Sequence, residues 1–174
     1  MAAAPRKGRR IVVLGDSITH GFWSSQVART WPVSLAKKTG REIVNLGYGA
    51  RMCVPSDGTA AAALEPDTLV YFIGFNEFWQ QKTDFGDRYR KTLDNIRARP
   101  PGVKIVAVTP TCSSVEKSIP LEAYRQEIRD AVLADVTLVE GMSLTSSDLV
   151  AFPDTVHPGD AGAAGIAAGL AGVV

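Results

Sequence analysis

Three residue types, placed far apart along the chain, could together cleave an acyl bond. Ser17 stands in Gly15-Asp16-Ser17, directly after the apolar run Ile11 to Leu14, which is how a buried strand ends on a tight turn that exposes a hydroxyl. A serine attacks a carbonyl only when a base takes its proton. His157 follows Asp154 by three residues, a spacing that puts both side chains on one side of a turn. The carboxylate can then hold one ring nitrogen and leave the other facing the serine. The oxyanion formed by attack needs N–H donors, each worth about 3–4 kcal/mol of barrier. The candidates are the backbone N–H of Ser17, the backbone N–H of Gly49 or Ala50, and the Asn76 side chain, which donates without bringing charge.

The elements that must position these groups can be read from periodicity. Apolar strands are expected at Ile11–Leu14, Glu42–Leu46, Thr68–Ile73, Val103–Thr109 and Val136–Val139. Helices are expected between them: one capped by Thr30 with Pro32 in its first turn and stopped by Gly40, and an Ala-rich one over Asp57–Leu64. Phe85, Tyr89, Leu93 and Ile96 form the apolar stripe of a third, stopped by Pro100-Pro101-Gly102. A fourth opens at Pro120, with a face of Leu121, Tyr124, Ile128 and Val132. A single helical turn is expected around Leu144–Leu149, and a glycine-weakened tail helix carries Ile166, Leu170 and Val173. Strands alternating with helices describe one three-layer α/β domain with a parallel sheet. Its site should lie at the carboxyl ends of the strands, where the strand order reverses. Ser17, Gly49, Ala50 and Asn76 all fall at such ends.

Size and charge exclude other classes. The chain has 174 residues, 45% hydrophobic and 21% charged, enough for a conventional core with no metal or disulfide staple. Nineteen basic residues against 18 acidic ones leave no field to hold nucleic acid or a membrane surface. The basic run Arg6 to Arg10 reads as a solvated arm over residues 1–10, leading into a single domain over 11–174. Its apolar continuation is too short for an export signal, and no stretch approaches a membrane span. A cytoplasmic location is therefore expected. Cys53 and Cys112 read as two buried or idle thiols, and with only His20 and His157 present neither a metal site nor a cofactor loop is expected.

Four segments resemble, in order and spacing, the blocks of the SGNH (GDSL-type) hydrolase superfamily. They are Gly15-Asp16-Ser17-Ile18-Thr19, Asn45-Leu46-Gly47-Tyr48-Gly49, Gly74-Phe75-Asn76-Glu77 and Asp154-Thr155-Val156-His157-Pro158. The resemblance implies a flavodoxin-like α/β/α sandwich with a five-stranded parallel sheet, and hydrolysis through an acyl-serine without cofactor. By position, Ser17 is similar to the nucleophile, His157 to the base, Asp154 to the third triad member and Asn76 to the oxyanion asparagine. The oxyanion glycine of the second block falls on Ala50, with Gly49 just before it, so either could donate.

Neighbouring residues divide between chemistry and packing. His20 is a rival base placed at the pocket rim, and Glu77 a rival acid read as a buried or capping carboxylate. Asp16, Phe22, Trp23, Arg51, Phe75 and Trp79 are candidates for the substrate pocket. Of these, Asp16 also suits a partner for turn amides and Arg51 a surface salt bridge. The expected activity is hydrolysis of short acyl or acetyl esters of small molecules or sugars in a shallow, open cleft. An acyltransferase or thioesterase with the same triad is the enzymatic alternative; a binding domain without turnover is the alternative of another class.

Overall fold

The computed structural model describes residues 9–98, 102–148 and 150–174. Most of the basic arm, the Pro100-Pro101 stop and Leu149 lie outside the described residues. Five strands pair throughout in parallel: β1 (Arg10–Gly15), β2 (Glu42–Asn45), β3 (Thr68–Phe72), β4 (Lys104–Val108) and β5 (Val136–Val139), in the order β2-β1-β3-β4-β5. The first strand thus begins at Arg10, inside the segment expected to be an arm. The Arg10 N–H donates to Asp67 at 2.6 Å, and its guanidinium reaches Glu42 and the Leu64 carbonyl.

Residues of β1, β3 and β4 are buried on both sides of the sheet, so their sequences are continuous rather than alternating apolar runs. Val12, Leu14, Leu69, Tyr71 and Ile105 face one layer, made of α3 (Pro55–Ala62), α4 (Phe75–Trp79), α5 (Phe85–Arg97) and α6 (Leu121–Ala131). Ile11, Val13, Val70, Phe72 and Val106 face the other, made of α2 (Trp31–Thr39) and α7 (Asp160–Ala171). This is the expected α/β/α sandwich, and its order reverses between β1 and β3.

Two expectations are corrected. The turn placed around Leu144–Leu149 is instead a 3-10 turn over Gly141–Ser143. Two short helices, α1 (Ser17–His20) and α4, replace what reads as loop, because each is only one turn long and carries no apolar period of its own. Cys112 is half-buried, unlike Cys53, which is closed off beneath the site. The glycines of α7 are explained by packing: a Cβ on Gly165 would lie 2.8 Å from Thr145, and one on Gly169 2.5 Å from Leu144. That helix gives up intrinsic propensity to let the segment after β5 lie against it.

Candidate active site

β1 delivers Ser17. Its last residue, Gly15, leads into Asp16, whose carboxylate accepts from the Ile18 N–H at 2.9 Å and caps α1. Ser17 is therefore the first residue of a helix, where the N–H has no partner within the helix and points outward as a free donor. The helix closes after one turn at Gly21, φ +94°.

The loop after β2 is fastened beside Ser17 by Asn45. Its amide donates to the Thr19 carbonyl at 3.0 Å, while its oxygen accepts from the Gly47 N–H at 2.8 Å. Gly47 permits the approach, since a Cβ there would lie 2.4 Å from the His20 nitrogen. Asn45 is a site residue whose role sequence reasoning missed, although it opens the second of the four blocks and stands at a strand end, two before Gly. Three residues on, Ala50 has φ +59°. This left-handed conformation costs a residue with a Cβ roughly 1–2 kcal/mol. Ala50→Gly should therefore raise stability by about 0.5–1 kcal/mol, after allowing for the greater freedom of Gly when unfolded. That is a gain of about 1–4 °C in Tm, and an unchanged or lowered Tm would show that the position is relaxed.

β3 delivers Asn76 through Gly74, whose φ of +131° is open to glycine alone. The Asn76 amide donates to the Arg51 carbonyl at 2.9 Å, leaving its second N–H for another acceptor. Glu77, next in line, is fully buried and accepts from the Cys53 N–H, with Arg88 3.8 Å away. It anchors the chain after the second loop and does not reach the relay. Burial pushes its carboxyl above the usual range, against the Cys53 hydrogen bond and the Arg88 charge.

The base arrives from the far end of the chain. Asp154 Oδ1 accepts from the N–H groups of Val156 at 3.0 Å and His157 at 2.6 Å, while Oδ2 receives the His157 Nδ1 at 2.6 Å. Burial raises the Asp154 carboxyl, but these hydrogen bonds outweigh it and hold the group below its ordinary range. An ionised carboxylate requires a donor at Nδ1, which leaves Nε2 as the acceptor, 2.9 Å from Ser17 Oγ. The tight turn puts Thr155 at φ +66°, an uncommon strain for a β-branched residue. The Phe22 ring covers the imidazole with 4.7 Å between centroids. Its segment is clasped to the start of α7 by Asp160, which accepts from the Ser25 N–H and hydroxyl at 3.0 and 2.7 Å and from Arg29 at 2.7 Å.

The structure thus brings Ser17, His157 and Asp154 into one hydrogen-bonded line, with the Gly49-Ala50 turn after β2 and Asn76 in α4 after β3, the two strands that flank β1. The pocket candidates divide. Phe22, Trp23 and Trp79 are each at least half exposed, whereas Asp16 and Phe75 are buried. Arg51 lies over the Tyr48 ring at 4.1 Å and 3.5 Å from Asp57, an internal pairing. His20 is exposed. Among the described residues, no group of His, Cys, Asp and Glu side chains is placed to hold a metal ion, and no helix is long and apolar enough to cross a membrane.

Burial pushes the Asp16 carboxyl up to about 7, with the Ile18 hydrogen bond opposing and the Glu77 charge adding to it. A folded pKa above the unfolded one means that the folded state holds the extra proton between about pH 4 and 7. Asp16 therefore lowers stability progressively as pH rises through that window. Asp16→Asn keeps the acceptor for Ile18 and removes the titration. The variant's Tm should gain on the wild type between pH 5 and pH 8; an identical difference at both would show that Asp16 does not titrate there.

Residues 13–164 match the GDSL-like Lipase/Acylhydrolase family. The chain belongs to that family. As a GDSL-like serine hydrolase it has the corresponding α/β fold, and solved structures share it. The salicylyl-acyltransferase SsfX3 of a tetracycline biosynthetic pathway superposes with a TM-score of 0.78 at 20% identity, over 95% of this chain and 53% of that one. A protein assigned to the lipolytic G-D-S-L family from Desulfitobacterium hafniense DCB-2 gives 0.75 at 14% identity, over 96% and 100% of the two chains. A two-domain esterase active on acetylated mannans gives 0.70 at 18% identity, over 92% and 47%. The GDSL-like chain thus spans about half the length of the first and third of these proteins. Among curated proteins, none matches it.

Proposed function

We propose that the protein hydrolyses carboxylic esters of short acyl groups through an acyl-Ser17 intermediate. The observation that carries the reading is the Ser17 Oγ–His157 Nε2–Asp154 line, 2.9 and 2.6 Å long, at the reversal point of the sheet. In the first half-reaction His157 Nε2 takes the Ser17 proton while Oγ bonds to the ester carbon. The carbonyl oxygen becomes an oxyanion facing the N–H groups of Ser17 and of Ala50 or Gly49, and the free N–H of Asn76. Asp154 stabilises the imidazolium without taking its proton. Collapse breaks the bond to the alcohol, which leaves with the proton from Nε2. Water, deprotonated by the same nitrogen, then releases the acid and restores Ser17.

Short acyl groups are favoured because Ser17 and His157 stay partly exposed beside the one-turn helices α1 and α4. Incubation with a fluorophosphonate is expected to add its phosphonyl mass to Ser17, and to do so far more slowly in His157→Ala. Labelling elsewhere, or at an equal rate in that variant, would overturn the reading.

A further inference from the structure

The segment that leaves the Gly49-Ala50 turn, residues 51–54, lies in neither helix nor strand. It has no ladder to satisfy its backbone, so its polar groups must find side chains or water. Cys53 is 1% exposed, which leaves side chains. Its N–H donates to the fully buried Glu77, and its carbonyl accepts from the Arg88 guanidinium at 2.7 Å. The two side chains stand 3.8 Å apart. Two residues earlier, the Arg51 carbonyl accepts from the Asn76 amide at 2.9 Å. A carboxylate from α4 and a guanidinium from α5 thus hold both backbone polar groups of one residue, just beyond the turn that carries the Ala50 N–H.

What that hold does for the chemistry follows from Ala50. Its backbone is left-handed, φ +59°, and a residue with a Cβ keeps such a conformation only where its surroundings over-determine it. The direction of the Gly49 and Ala50 N–H groups depends on this turn keeping its form. Resting on the esterase reading, we propose that Glu77 and Arg88 are positioning residues of the oxyanion hole. By clamping Cys53 they preserve the strained turn, and so keep its N–H donor aimed at the forming oxyanion.

Stability alone does not call for ions here. A buried pair loses in hydration much of what it gains in attraction, and apolar residues of the same volume often serve as well. Hydrogen bonds to charged groups are, however, shorter and stronger than neutral ones. That stiffness counts where a donor must stand within a fraction of an ångström of its place when charge develops. The guanidinium is itself oriented from its other side by Asp84, at 3.0 Å.

The test exchanges sulfur for oxygen in the carbonyl. A thiono sulfur accepts hydrogen bonds more weakly than oxygen and sits farther from its carbon. An aligned hole should therefore turn over 4-nitrophenyl acetate with a higher kcat/KM than 4-nitrophenyl thionoacetate. Arg88→Met removes the donor to the Cys53 carbonyl but leaves Glu77 buried without its counter-ion. Glu77→Gln combined with Arg88→Met removes both charges and keeps an acceptor for the Cys53 N–H, so it is the variant better able to fold. In each, kcat/KM for the oxo ester should fall by about ten- to a hundredfold, and the oxo-to-thiono ratio by roughly fivefold or more. Arg88→Lys, which retains a charged donor, should lie closer to the wild type on both. An unchanged ratio in a folded variant, whatever its Tm, would overturn the positioning role, as would a wild type without preference for the oxo ester. Loss of the fold in all three variants would also overturn it, because the pair would then be serving stability. No turnover of either ester by the wild type, together with no fluorophosphonate label on Ser17, would instead overturn the esterase reading, and the positioning role with it.

Discussion

His157→Ala is expected to lower ester turnover by about four to six orders of magnitude while the protein stays folded. Among the described residues the ring is the only group hydrogen-bonded to Ser17 Oγ, so its loss leaves a serine of ordinary weak nucleophilicity. Residual rate would come from the oxyanion donors alone. The structural cost should be modest. Asp154 keeps its two backbone donors, from Val156 and residue 157, and stays solvated, so a loss of about 1–2 kcal/mol covers the missing side-chain bond and the contact with Phe22. Steady-state kinetics and a thermal melt read both quantities. Activity within tenfold of the wild type in a folded variant would remove His157 from the role of base.

Asn76→Ala is expected to lower kcat by about 100- to 1,000-fold with KM little changed. A donor to the oxyanion acts only once the carbonyl oxygen has become negative, which is why the effect falls on kcat. The amide has a second task, holding the Arg51 carbonyl at 2.9 Å, so the variant should also lose a little stability. The two tasks separate in the kinetics: loosening the Arg51 loop alone would disturb binding and turnover together. A change in kcat of less than threefold would exclude Asn76 as an oxyanion donor.

Much of this arrangement was legible in the sequence because it rests on local signals. Continuous apolar runs marked β1, β3 and β4, and all five strands fall where expected to within two residues of their ends. The Asp154-to-His157 spacing predicted a carboxylate reaching the ring, and it does so at 2.6 Å. What stayed hidden depends on contacts between distant segments. The tie from Asn45 to Thr19, the Phe22 ring against His157 and the left-handed backbones of Ala50 and Thr155 arise only once loops from different strands converge. The hold of Glu77 and Arg88 on Cys53 could not be foreseen either, because the segment it fastens has no periodic pattern. Asp16 was half legible: its role as a partner for turn amides followed from its place in the tight turn after β1, but its depth did not.

The hydroxyl of Ser17 and the ring of His157 meet across 140 positions of sequence, and the clasp from Ser25 to Asp160 spans 135. Contacts of that separation carry a large loop-closure entropy and form only when the intervening strands have paired. Refolding chains can regain helical signal early, yet they have no relay until α7 has docked against α2. Catalytic competence therefore requires both ends of the chain to have met, and recovered activity counts only molecules in which they have.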